Sequence, residues 1–268
     1  MRFGCCGSMI SPHRDPLGVE IVEELAASGF DYLELSLRDL AALAEPEVAH
    51  LQRRIEAAGI RCEACNNFFP APVRLTGPDA SLPCAIEYAT RALERAAQVC
   101  VSVIVFGSSD AKNVPPGYSH SDAWRQIVEL LQTLGPIAAK LGITIVIEPL
   151  NRRESNIVCT AAEGLKLARE VAHPNIQLLI DYYHLRLESE DPGIVLEAGE
   201  AVRHVHFGEP AGRVFPLEAS PRYEAFFAYL QQISYNARCS IEAYTRDFSS
   251  DARRALAVLK AAAKGNCA

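Results

Sequence analysis

Eight short apolar, β-rich runs, eight intervening segments of helical periodicity and a length of 268 residues predict an α/β protein folded as a single (β/α)8 TIM barrel. In order, the strand-like runs are Arg2–Gly7, Tyr32–Leu37, Arg61–Phe68, Ser102–Gly107, Thr144–Leu150, Ile176–Asp181, Val202–Gly208 and Ser240–Thr245. The helical segments that follow them are Val19–Ser28, Leu40–Ala58, Cys84–Val99, Ser121–Leu141, Ala161–Val171, Gly193–Ala198, Arg222–Ile233 and Asp251–Ala263. Gly29, Gly59 and Gly142 each end a helical run just before a strand, where a C-terminal cap calls for positive φ. Strands alternating with helices form βαβ units, and strands that are apolar almost throughout are buried on both faces of a parallel sheet. A doubly wound open sheet shares this alternation, but Gly4-Cys5-Cys6-Gly7-Ser8-Met9 does not supply the glycine fingerprint of a dinucleotide site. No linker or low-complexity segment divides the chain, so one domain spanning residues 1–268 is expected. The longest irregular stretches, Phe69–Leu82 and Ser108–His120, follow the third and fourth strands, on the side where barrels carry their sites.

Composition narrows the function. With 49% hydrophobic and 22% charged residues, the chain can bury a large core without covalent staples. A net charge of −7 and the lack of any Lys/Arg-rich block argue against a nucleic-acid partner. The start, Met1-Arg2-Phe3-Gly4-Cys5-Cys6-Gly7, lacks a signal peptide's apolar core, and no apolar run approaches bilayer-spanning length; a cytoplasmic protein with no membrane partner is expected. Nine cysteines, an odd number scattered through apolar segments, are expected to be reduced thiols. Cys62-Glu63-Ala64-Cys65 has redox spacing but lies inside a strand-like run, so packing is expected, with Cys65 lining a pocket.

The polar residues at the strand ends carry the chemistry. Within IVIEPLNRRESN, Glu148 closes the fifth run, although burying an unpaired carboxylate is costly. Asp181 closes the sixth, His204 and His206 lie on the seventh, and Glu242 lies on the eighth. Each has an ordinary reading taken alone: Arg152 or Arg153 as a local partner of Glu148, a helix cap for Asp181, a core histidine for His206. Their coincidence on four successive strands favours a shared site. Three carboxylates in one small site repel one another unless positive charge sits between them, and a divalent cation is the simplest source. Oxygen-rich ligation with one imidazole suits Mn2+, Mg2+ or Co2+ better than a thiolate-seeking ion, with Zn2+ also compatible. His204 and His206 face the same way, and His206, nearer the C-terminal end, is the favoured ligand with His204 behind it. Glu154, His184 and Arg213 are placed to meet a polyhydroxylated substrate, and Lys112, Arg152, Arg153 and Arg213 are the cations available to a phosphate.

The motifs IEPLNRRESN, LLIDYYHL, HVHFGEP with Arg213, and SIEAY resemble those of the xylose isomerase-like TIM barrels, a sugar phosphate isomerase/epimerase group that includes D-tagatose and D-psicose 3-epimerases and hydroxypyruvate isomerases. The resemblance runs along essentially the whole chain, in order. It implies one divalent metal ion, Mn2+ first, held by Glu148, Asp181, His206 and Glu242, with Glu148 and Glu242 also the acid–base pair. It further implies substrate contacts from Glu154, His184 and Arg213, a small carbohydrate-like substrate, and a homodimer or homotetramer.

The chemistry that follows is proton abstraction α to a metal-bound carbonyl, through an enediolate, in a sugar, sugar phosphate or small hydroxy-carbonyl compound. Return of the proton to the opposite face gives an epimerase, and return to the adjacent carbon gives an isomerase. The same start followed by loss of a β-hydroxyl gives a dehydratase of the keto-inositol or dehydroshikimate type. An apurinic-site endonuclease would need more histidines than these strand ends supply. A non-catalytic carbohydrate-binding barrel is the remaining alternative.

Overall fold

In the computed structural model, which describes residues 1–11 and 13–264, eight parallel strands pair in sequence order and close on themselves. They are β1 (Arg2–Cys6), β2 (Tyr32–Ser36), β3 (Cys62–Asn66), β4 (Val103–Phe106), β5 (Thr144–Ile147), β6 (Ile176–Asp181), β7 (Val202–Phe207) and β8 (Arg238–Ile241). Closure is made by β1 against β8, with Phe3 opposite Cys239 and Gly4 opposite Ser240. The (β/α)8 barrel expected from the alternation of runs is the fold observed. Among the described residues, no helix is long and apolar enough to cross a membrane.

The helices are α1 (Val22–Ala27), α2 (Leu37–Ala42), α3 (Glu45–Ala57), α4 (Leu82–Gln98), α5 (Ser109–Lys112), α6 (His120–Lys140), α7 (Ala161–Val171), α8 (Tyr182–Leu187), α9 (Ile194–Ala198), α10 (Pro221–Gln232) and α11 (Phe248–Lys264). Two of them correct the sequence expectation. The run Leu40–Ala58 is not one helix: α2 ends at Ala42 and α3 starts at Glu45, with Pro46 in its first turn, where the missing N–H and the ring are tolerated and where they disfavour continuation from α2. The sixth unit is split as well, because α8 starts directly at the end of β6 and precedes the expected helix, here α9. Gly29, Gly59 and Gly142 do take positive φ, at 86°, 69° and 69°. Among the described residues the cysteines at 5, 6, 62, 65, 84, 100, 159 and 239 form no disulfide with one another, in line with the expectation, while Cys267 lies outside the described residues.

Two apolar clusters hold the barrel. A large one lies between sheet and helices, built from residues such as Leu33, Leu35, Cys65, Ile104, Ile145, Ile147 and Leu178 with Leu93, Leu131 and Leu165 of the helices. A small one, Tyr32, Ala64, Val103, Val105, Val146 and Leu179, fills the barrel interior. Side chains alternate along a strand, so the inward set continues two residues on. Ala64 is followed inward by Asn66, Val105 by Gly107, Val146 by Glu148 and Leu179 by Asp181. The apolar interior therefore gives way to polar groups at the C-terminal mouth.

Candidate active site

Backbone pairing delivers the two glutamates. Glu148 lies one residue past β5, and its N–H still donates to Phe106 O at 3.1 Å; Glu242, one past β8, donates in the same way to Phe207 O at 3.0 Å. Asp181 ends β6, and its Oδ1 accepts the Tyr183 N–H at 2.7 Å as the N-terminal cap of α8. The cap reading of Asp181 therefore holds, and it positions the carboxylate, because the other oxygen stays free to face the mouth. His206 Nδ1 lies 3.0 Å from Glu148 Oε1 and 3.2 Å from Glu242 Oε2. Glu148, Asp181, His206 and Glu242 each present one ligand atom, and these four atoms all lie within 4.8 Å of one another in a buried group. Gly107 makes room for the group, since a Cβ there would stand 2.1 Å from Glu148 Oε2.

The protein's own cations only partly balance these acids. The Arg213 guanidinium donates to Glu242 Oε2, lies 3.7 Å from Asp181 Oδ2 and 3.6 Å from Glu154 Oε2, and stacks 4.8 Å over the Tyr183 ring. Burial pushes the Asp181 carboxyl up to about 7, with Glu242 and Glu148 adding to the effect and Arg213 opposing it. Burial, and then the charge of Glu242, also raise Glu148. Burial acts the same way on Glu242, but His206 and Arg213 outweigh it and hold this carboxyl well below the usual range. Three buried atoms at the mouth lack any hydrogen-bond partner: Asp181 Oδ2, His184 Nε2 and Asn66 Oδ1. Unsatisfied buried polar atoms are expensive, and their convergence is what a ligand-binding site shows before its ligand arrives.

The remaining sequence candidates fall into place unevenly. His184 Nδ1 accepts the Asn151 N–H at 3.2 Å, which leaves Nε2 facing Asp181 Oδ2 at 3.4 Å. Burial, aided by Arg213, depresses this imidazole to about 3, so it is a neutral donor at the mouth. Glu154 is held by the Asn151 side-chain amide at 2.7 Å and by Arg213. Cys65 is a correction. It does not line the mouth, because strand alternation turns its side chain outward into the helix-facing core and points Asn66 inward instead. Neither Arg152 nor Arg153 pairs with Glu148: Arg152 is engaged by Glu188, and Arg153 is exposed. Lys112 is fully buried and donates to the Gly107 carbonyl, and burial lowers its ammonium to about 8.

Sequence reasoning missed Asn66, whose Nδ2 donates to Glu242 Oε1 at 2.9 Å, and Glu34, which contacts His206 and His204. Asn66 ends β3 as Asp181 ends β6, but a reading of ionisable strand ends passes over an amide. Glu34 did carry a signal, as an acid inside the apolar run Tyr32–Leu37. The cavity at the mouth measures about 150 Å³ and is lined by Asn66, Asn67, Phe69, Ser108, Glu148, Glu154, Arg213 and Glu242, among others.

Comparison with known proteins agrees with the fold. The family described as "Xylose isomerase-like TIM barrel" matches residues 22–262. An L-ribulose 3-epimerase of Methylomonas sp. (strain DH-1) is 29% identical over 230 residues, which cover 83% of this chain and 77% of that protein. A D-psicose 3-epimerase of Agrobacterium fabrum is 27% identical over 232 residues, covering 84% and 78%. The crystal structure of a D-allulose 3-epimerase from Methylomonas sp. in complex with D-allulose superposes with a TM-score of 0.86 at 26% identity, over 97% of this chain and 96% of that one.

Proposed function

This chain belongs to the xylose isomerase-like TIM barrel family, and on that premise we propose that it is a divalent-metal-dependent sugar epimerase inverting a carbon next to the carbonyl of a ketose. The observation that carries the reading is the convergence of Glu148, Asp181, His206 and Glu242 within 4.8 Å, with Asp181 Oδ2 buried and without a hydrogen bond. Three carboxylates and one imidazole suit a hard or borderline cation, Mn2+ first and Mg2+ or Co2+ next. These four residues would hold such a cation, and its positive charge would polarise the substrate carbonyl and offset the charge developed as the neighbouring carbon loses its proton.

The chain's own residues supply the rest. Glu148 and Glu242 reach the mouth from β5 and β8, with two strands between them, and this supports their acting on opposite faces of the substrate. One carboxylate removes the α proton, and the other returns a proton to the opposite face of the enediolate, so the carbon is inverted. Glu154, the neutral His184 and the free Oδ1 of Asn66 are the groups offered to sugar hydroxyls. Arg213 is already held by carboxylates, Arg152 by Glu188, and Arg38 lies 3.4 Å from Asp39, which favours an uncharged sugar over a sugar phosphate.

The test is solvent-deuterium exchange in D2O with L-ribulose and D-allulose, before and after removal of metal by EDTA. The expected result is deuterium at C3 together with the C3 epimer, lost on chelation and restored by Mn2+. Exchange that survives chelation would overturn the metal requirement. Absence of exchange with any ketose, in protein shown to carry metal, would overturn the proton-transfer chemistry.

A further inference from the structure

Behind the candidate ligand set lies a second layer of polar side chains that the proton-transfer chemistry does not use. Glu34, in β2, is wholly buried at the centre of the barrel, and both of its carboxylate oxygens are engaged. Oε1 lies 2.9 Å from His206 Nε2, while Oε2 accepts from Ser240 Oγ at 2.5 Å and lies 3.0 Å from His204 Nε2. Ser240 Oγ is also 2.7 Å from the Tyr32 hydroxyl. Taking a carboxylate out of water costs several kcal/mol, so its contacts have to hold it there. The other nitrogen of His206, Nδ1, faces away from Glu34 toward Glu148 and Glu242, at 3.0 and 3.2 Å.

An imidazole that keeps one N–H on a carboxylate presents, once its other proton has left, the lone pair of its second nitrogen, and the partner sets both the tautomer and the ring plane. We propose that Glu34 is a positioning residue for metal capture: by accepting the Nε2–H of His206 it aims the Nδ1 lone pair into the group formed by Glu148, Asp181 and Glu242. The inference rests on reading those four residues as cation ligands. A carboxylate suits the task because both of its oxygens accept. Glutamine would either turn an amide N–H toward the His206 Nε2–H or meet His206 with a weaker, neutral acceptor. A competing arrangement exists on the other side of the ring, since Cys6, Glu34 and His206 also bring ligand atoms within 4.8 Å of one another. An ion taken there through Nε2, the nitrogen beside Glu34, would displace the Nε2 proton.

Direct Mn2+ binding, followed by electron paramagnetic resonance of the free ion, separates these cases. For Glu34→Gln the proposal expects affinity about 10–100-fold weaker than wild type, the range seen when such partners are removed. Asp181→Asn, which alters a ligand itself, reports on the cation site independently. Equal affinity of Glu34→Gln and wild type, with Asp181→Asn weakened, would overturn the role of Glu34 and leave the cation site standing. Failure of the wild type to bind Mn2+ would remove the cation site itself. If Glu34→Gln does not fold, 15N spectra of the wild-type histidines during Zn2+ titration decide the matter. The expected result is movement of His206 Nδ1 while Nε2 keeps its proton; loss of the Nε2 proton on binding would overturn the proposal.

Discussion

The two ends of the barrel both bury acids beside arginines, and they balance them differently. At the N-terminal end, Glu63 sits between Arg2 Nη2 at 2.5 Å and Arg238 Nε at 2.7 Å, and Arg238 also donates to Ser102 Oγ at 3.1 Å. One acid meets two guanidinium groups, and among the described residues none of the unpartnered buried side-chain atoms belongs to this cluster. At the C-terminal end, Glu148, Asp181 and Glu242 have one arginine and two buried histidines, His206 and the neutral His184, beside them, and among the described residues Asp181 Oδ2, His184 Nε2 and Asn66 Oδ1 find no hydrogen-bond partner. The paired cluster ties strands of the barrel together, and the incompletely paired one is where we propose that a ligand binds. Size alone would mislead, because the larger cleft, about 830 Å³, is the one lined by Arg2, Glu63 and Arg238, against about 150 Å³ at the mouth.

Exchanging one acid at a time breaks this contrast or sharpens it. The largest effect is expected from Glu148→Gln and Glu242→Gln, which remove the proposed proton-transfer groups and should each lower kcat by about 10²–10⁴-fold with saturating Mn2+. Turnover within tenfold of wild type in either variant would remove that residue from the acid–base pair.

The C-terminal end also predicts how the metal-free protein responds to pH. The folded state raises the Asp181 carboxyl from 3.8 to about 7, so folding favours its protonated form. That contribution is fully present below about pH 4 and is lost progressively as pH rises to about 7, by at most about 1.4 kcal/mol for each pH unit crossed. Urea unfolding of metal-free protein should show stability falling across this window relative to Asp181→Asn, and added Mn2+ should reduce the fall. Parallel curves for the two metal-free proteins would contradict the unbalanced charge.

Effects at the N-terminal end should reach stability alone. Glu63→Gln leaves two arginines without their acid and should cost about 1–3 kcal/mol, less than a fully buried pair because Arg2 and Arg238 are partly exposed. Its kcat and KM should match wild type; a change in either would link the two ends. Smallest of all is Cys65→Ala, which removes one sulfur from the helix-facing core at a cost of about 1 kcal/mol, again with unchanged kinetics. A shift in KM there would return Cys65 to the mouth.

What was legible in the chain alone follows from periodicity and position. Alternating apolar runs and helical segments specify βαβ units, and eight of them specify a closed barrel, because each run is too apolar to leave a face in water. Glu148, Asp181, His206 and Glu242 could be read because an ionisable group at the end of a buried strand is conspicuous against its neighbours. The break at Pro46 was not legible from the proline by itself, since Pro136 lies inside the unbroken α6.

The sequence by itself determined the barrel, the strand ends and the acids and histidine placed there, since these depend on local pattern and chemical type. Only the tertiary structure decided which of two apolar faces points into the barrel, and so placed Asn66 rather than Cys65 at the mouth. A period of two separates the faces of a strand but does not name them when both are buried. The shift in pairing between Leu33 and Glu34 is likewise invisible to a one-dimensional pattern. So is the contact of Glu34 with His206, which lies 172 residues away along the chain and 2.9 Å away in space.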